Sequence, residues 1–270
     1  MAMAALTPLI LSGSVGDRGA ENKPADVLAV RSRLSAIRQA SQQEGIPLNG
    51  TAYIKRPVSF AMELAGAPSY AAGFGGGSRF GLTVPLDEAL VEWIRQFQSL
   101  FMKFPDGIVQ PGGVTAKFLS GWRISPISAG VQWQGELKTA WLMVSPLLPP
   151  GSYCSSGYRS VEKQKQIIDE MFLTTYVLEL KGKLGKRFDD IVAMTGDPRY
   201  VAMVPELRAI GQKVALPGRS PHQRGKAFDI GGPSDAEQVR VCKMVAGANP
   251  RLFNGQAYKE RNGCVHVEIV

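Results

Sequence analysis

The sequence predicts an α+β protein in two parts. A small three-helix module spans residues 12–121, and an α+β domain with a small antiparallel sheet spans 136–270. Three observations carry this. Apolar residues recur at helical spacing in the first part. Two short strand-like runs, 226–230 and 264–269, come late in the second. Helical stretches surround those runs, so helices and strands pack around one sheet.

Taken in order, residues 12–19 form a turn-rich lead-in. Asp26 reads as the N-cap of a first helix, with Val27, Val30, Leu34 and Ile37 as its apolar stripe. Residues 44–82 are rich in Gly, Pro and Ser and read as an irregular insertion or hairpin. A second helix at about 86–101 places Leu90, Trp93, Ile94, Phe97 and Leu100 on one face. Turns at Pro105-Asp106-Gly107 and Pro111-Gly112-Gly113 lead to a short third helix from Val114 to Leu119. Residues 122–135 read as a linker. A helix from Glu136 to Val144 is stopped by Pro146, Pro149 and Pro150. The stretch from Tyr153 to Ser160 then reads as a short strand leading into a helix near Val161. Residues 174–210 read as helical with breaks near 182–185 and 196–198, and a helix at 234–246 separates the two late strands. Each part has its own apolar helices, so residues from about 136 onward are expected to fold alone.

Composition sets limits. The 270 residues are 44% hydrophobic and 20% charged, which is ordinary for a globular chain. The 31 Lys and Arg against 23 Asp and Glu give a net charge of +8, favouring a polyanionic partner such as nucleic acid, an anionic cell envelope or a membrane surface. The basic residues are scattered and show no nucleic-acid motif, so no nucleic-acid partner is expected. No stretch approaches the ~20 apolar residues of a membrane span. The three cysteines, Cys154, Cys242 and Cys264, form no close-spaced pair, which argues against a disulfide scaffold and for a reducing site of synthesis. The apolar start lacks a basic region ahead of it and does not read as a signal peptide. The expectation is a monomer made in the cytoplasm that acts elsewhere only after release or delivery.

The chemistry concentrates at the end of the chain. Only two histidines are present, His222 and His266. With Asp229 they make a donor set suited to Zn2+, and three protein ligands leave a tetrahedral ion one open position. The alternative is that two lone histidines are packed or surface residues. Context favours the metal: His222 lies in Ser220-Pro-His-Gln-Arg-Gly-Lys-Ala-Phe-Asp229, and His266 in a closing Val-His-Val-Glu run.

Residues 151–270 resemble the zinc metallopeptidases that cut peptide bonds at D-amino acids in peptidoglycan. These include vancomycin-resistance type D-Ala-D-Ala carboxypeptidases, phage L-Ala-D-Glu endopeptidases and the zinc domain of hedgehog signalling proteins. The pattern S-x-H-x2-G-x-A-x-D falls on Ser220, His222, Gly225, Ala227 and Asp229; S-G-Y-R-S-x3-Q falls on Ser156 to Ser160 and Gln164; the closing H-V-E falls on His266, Val267 and Glu268. The resemblance implies His222, Asp229 and His266 as zinc ligands and Arg159 as a group that meets substrate, flanked by Ser156, Tyr158, Gln164 and Ser220. A guanidinium can grip a carboxylate or carbonyl with two donors, which suits Arg159 to that role. Many relatives carry a general base three residues before the last histidine, where this chain has Gly263. Glu268 and Glu260 are the remaining candidates. Glu268 is preferred, because strand alternation puts it on the face of His266, although it could equally brace that ligand.

Residues 12–121 resemble the small peptidoglycan-binding domain of cell-wall hydrolases. The likeness rests on Asp26-Val27 with Val30 and Leu34, on Ile94 to Gln98, on Pro105 to Val109, and on Gly113-Val114-Thr115 leading to Leu119. Together these imply a bacteriolytic peptidoglycan hydrolase of endolysin type that cleaves a stem-peptide amide with zinc-activated water. A secretion-delivered effector of the same activity is one alternative. A catalytically silent zinc- and wall-binding protein is the other, and Gly263 favours it.

Overall fold

The computed structural model describes residues 8–17, 19–44 and 88–270. Residues 1–7 and most of the insertion expected at 44–82 lie outside these. Among the described residues, no helix is long and apolar enough to cross a membrane.

The N-terminal part holds helices α1 (Pro24–Glu44), α2 (Glu88–Gln98) and α3 (Val114–Gly121). Short strands β1 (Val15–Gly16) and β2 (Ile108–Val109) pair antiparallel beside them. The expected stripe Val27, Val30, Leu34 and Ile37 is buried on α1, and Leu90, Ile94 and Phe97 are buried on α2. Asp26 corrects the expectation made of it. The helix starts two residues earlier, and the Asp26 carboxylate accepts from the Ser12 and Gly13 N–H groups and the Ser12 hydroxyl. It therefore ties the lead-in to the helix instead of capping it.

Gln98 explains the spacing of the turn motifs. Fully buried, its amide donates to Asp106, Ile108 O and Thr115 Oγ1, and its oxygen accepts from Gly107 N. One side chain thus satisfies polar groups that a buried turn would otherwise leave unpaired.

The second part is built on a four-stranded antiparallel sheet, in spatial order β3 (Tyr153–Ser156), β4 (Ala227–Gly231), β6 (Val265–Ile269) and β5 (Phe253–Lys259). Strand β5 was not expected, because Phe-Asn-Gly-Gln-Ala-Tyr-Lys shows no apolar alternation and carries an irregularity between Phe253 and Ala257. Side chains alternate across a sheet. Phe228, Ile230, Val265, Val267 and Ile269 enter the main core with α4 (Leu137–Val144) and α9 (Asp235–Ala248). Trp141 of α4 meets Phe228 edge-on at 5.9 Å. Asp229, His266, Glu268 and Tyr258 belong to the opposite face.

That opposite face is covered by a helical layer with a separate core around Ile168, Phe172, Leu180, Phe188, Met203 and Leu207. It comprises α5 (Val161–Glu170), α6 (Val177–Leu184), α7 (Lys186–Ala193) and α8 (Gly196–Ala209). Its breaks fall at Gly185 and before Gly196, where the sequence places them.

Segment 122–135 is packed, in contrast to a free linker. Trp122 and Ser125 are buried, and the backbone at Pro126, Ser128 and Gln132 hydrogen-bonds to Cys154 and Tyr158. One continuous core runs from Val15 and α1 through this strap to Ile269. The reason is local: β3 needs a partner on its outer edge, and the strap supplies it.

Candidate metal centre

Strand register brings two of the three expected ligands together. Asp229 and His266 are direct partners across β4 and β6, where side chains of opposed residues come closest. His222 arrives from a 3-10 turn, Pro221–Arg224, which Gly225 ends with φ +65° so that the chain can enter β4. The turn is docked on the motif before α5: Arg159 N donates to His222 O. Gln223 braces it, its Oε1 accepting from Gly218 N and Ser220 N.

The three donor atoms form a tight triangle. His222 Nε2 lies 3.2 Å from Asp229 Oδ1 and 3.3 Å from His266 Nδ1, and His266 Nδ1 lies 3.0 Å from Asp229 Oδ1. Ligands about 2.0–2.1 Å from a tetrahedral zinc ion stand about 3.3–3.4 Å apart, so the triangle has nearly the size of one face of such a site.

The protons are placed to suit. His222 Nδ1 is 2.7 Å from Gly157 O, an atom that can only accept, so the ring proton sits there and Nε2 offers its lone pair. His266 Nε2 is 3.3 Å from Glu268 Oε1, which would accept that ring's proton when a cation holds Nδ1. The three buried residues can each present one donor atom to a single cation. The set fits a divalent metal, and the outward hydrogen bonds are the kind that orient metal-bound histidines.

Burial opposes charge on Asp229, but His222, His266 and Arg159 hold its carboxyl well below the usual carboxylate range. Arg159 donates through a terminal nitrogen to Asp229 Oδ2 and through Nε to Ser156 Oγ at 2.8 Å. It thus balances the ligand from behind while bordering a cavity of about 540 Å³.

This cavity lies between the sheet face and the helical layer. His222, His266, Arg159, Gln164, Ser220, Glu260 and Glu268 all line it. Gln164 is buried and donates to Ala215 O. Ser156 and Tyr158 depart from expectation, since neither lines the cavity: Ser156 accepts from Arg159 and Tyr158 packs against the main core.

The two candidate bases occupy different sides of His266. Glu268 contacts the outward nitrogen and is itself held by Asn254 Nδ2 at 2.9 Å. Glu260 Oε1 lies 3.9 Å from the inward, metal-facing nitrogen, with Asn262 Nδ2 3.3 Å from its Oε2. Burial, followed by the Asp229 charge, raises the Glu260 carboxyl above its ordinary value. Gly263 sits in the turn between β5 and β6 with φ +86°, and a side chain there would meet open space. Tyr258, whose ring stands 5.1 Å from that of His266, stays protonated, its phenol pushed up to about 12 by burial and the nearby carboxylates.

Sequence reasoning missed the roles of the Gly157 carbonyl and Gln223. The first is a backbone atom with no compositional signal; the second lay inside a quoted motif at a variable position.

Residues 151–253 match the family model of D-alanyl-D-alanine carboxypeptidase. The matched range includes Arg159, His222 and Asp229 and ends before Glu260 and His266. No curated protein and no solved structure matches the chain. The family match supports a carboxypeptidase-type hydrolase that acts on peptidoglycan.

Proposed function

We propose that the chain is a zinc-dependent peptidase that hydrolyses a stem-peptide amide of bacterial peptidoglycan. The observation that carries this reading is the 3.0–3.3 Å triangle of His222, Asp229 and His266 beside an ionisable Glu260. Zinc, when bound, polarises the scissile carbonyl and lowers the pKa of water. The remaining work falls to the protein. Glu260 takes a proton from the attacking water on Oε1 while Asn262 holds Oε2. It then returns that proton to the leaving nitrogen, so the C–N bond breaks to give a carboxylate and an amine. Arg159 fixes Asp229 and offers its remaining donors to the substrate, with Ser220 and Gln164 on the same wall. Glu268 orients His266.

Residues 12–121 would hold the wall, and a net charge of +8 suits an anionic envelope. This combination fits a lytic enzyme of endolysin type, with delivery by a secretion machine as the other route. Gly263 is the observation that favours a silent wall-binding protein, and Glu260, 3.9 Å from His266 Nδ1, is the observation that favours catalysis. Purified sacculi incubated with the protein, with and without a chelator, should release stem-peptide fragments identifiable by mass spectrometry only when metal is present. Intact sacculi under both conditions would refute the proposal.

A further inference from the structure

The cavity has two chemically distinct ends. Around the metal ligands stand Glu260 and Glu268. On the facing wall, from the end of α8 and the segment after it, come Arg208, Gln212 and Lys213. Neither cation has a carboxylate partner among the described residues. Arg208 spends only its Nε, on Val214 O at 2.8 Å. Lys213 Nζ lies 3.5 Å from the centroid of the Tyr258 ring. That ring stands against His266, so the ammonium is held one aromatic ring away from a metal ligand. Gln212 adds an independent sign. It is 4% exposed, and its Nε2 donor has no hydrogen-bond partner, a state that is costly unless a ligand relieves it.

We infer that Lys213, Arg208 and Gln212 form a receptor for the free terminal carboxylate of the peptide residue released by the reaction. The inference rests on the peptidase reading above and deepens it by naming the group that specifies the substrate. Two cations and an amide donor suit a carboxylate, for which charge-assisted hydrogen bonds are strongest. The placement suits a short segment: an extended peptide advances about 3.3–3.6 Å per residue, and one ring, Tyr258, separates the Lys213 ammonium from His266 within the same cavity. The peptide is thereby bound in one direction, and chains continuing past the released residue are disfavoured.

The test uses the full-length protein, N-acetyl-L-Lys-D-Ala-D-Ala and its C-terminal amide. With zinc supplied, wild type should cleave the acid with a kcat/KM roughly 10- to 100-fold above that of the amide, the usual scale for a charge-assisted contact. Lys213→Met keeps the side chain's length over Tyr258 and should reduce the preference for the acid, and adding Arg208→Met should bring the acid down to the level of the amide. Lys243→Met, an equal change of net charge on α9, should preserve the preference. Equal cleavage of both peptides by wild type, or an equal loss on both in Lys213→Met, would overturn the proposal. A third peptide, an amide bearing a side-chain carboxylate ahead of the cleaved bond, separates the two carboxylate sources. A Lys213→Met penalty that follows the side-chain carboxylate would overturn the terminal assignment. Calorimetric binding of the same peptides to chelator-treated protein keeps the two readings apart. If wild type cuts nothing, yet metal-free binding prefers the acid through Lys213, the receptor stands and the peptidase reading falls.

Discussion

Exchanging Glu260 for Gln should separate the two carboxylates around His266. The variant keeps the shape of the side chain and the hydrogen bond from Asn262, but it cannot accept a proton at Oε1. Loss of a general base costs about 10²–10⁴ in rate, or about 2.7–5.5 kcal/mol of barrier at 1.36 kcal/mol per tenfold. Glu268→Gln should behave differently. Its carboxamide oxygen can still accept from His266 Nε2, so only the strength of that support falls, and changes of this kind cost about 10- to 100-fold in metal affinity or activity. With zinc in excess, the kcat of Glu268→Gln should recover to within about tenfold of wild type, whereas Glu260→Gln should stay inactive with its metal bound. The assay is release of D-alanine from N-acetyl-L-Lys-D-Ala-D-Ala by mass spectrometry, with metal content measured on the same samples. An active Glu260→Gln beside a metal-loaded, inactive Glu268→Gln would refute the geometry-based assignment and restore the preference drawn from strand alternation.

Further outcomes follow from the same structure. Gly263→Glu in the Glu260→Gln background should restore no activity in that assay, because the backbone at 263, with φ +86°, strains any side chain placed there; recovery would show that the turn can carry the base. Arg159→Lys cannot hold both Ser156 and Asp229, so kcat/KM should fall by about 10- to 100-fold, as expected when two charge-assisted bonds become one; kinetics within twofold of wild type would contradict this. A fragment of residues 136–270 lacks the strap along β3 and the helices that complete the main core. It should melt well below the full chain in a calorimetric scan, and an equal midpoint would show that the two parts are independent after all.

The clustering of His222, Asp229 and His266 was legible in the sequence because the chain has only two histidines, each inside a quoted motif. The helices α1 and α2 were equally readable from the spacing of Val27 to Ile37 and of Leu90 to Phe97. What stayed hidden depends on pairing across the chain. Strand β5 has no periodic signal of its own and exists because β6 offers it an edge. The strap at 122–135 has irregular apolar residues because it borders one strand and one core at once. Strand alternation ranked Glu268 above Glu260, because spacing alone does not show that the turn before β6 brings the Glu260 carboxylate to within 3.9 Å of the inner nitrogen of His266. Lys213 and Gln212 belong to no motif, and only the packing of the helical layer over Tyr258 places them in the cavity.

The central claim is that His222, Asp229 and His266 hold one metal ion, and metal stoichiometry tests it most directly. Wild type and His222→Ala would be stripped with a chelator, reloaded with a slight excess of zinc, freed of unbound metal by gel filtration and measured by elemental mass spectrometry. The account predicts about one zinc per chain in wild type and a near-complete loss in the variant, because no other histidine can replace the missing ligand. Full zinc retention by His222→Ala, or no zinc in wild type, would contradict it.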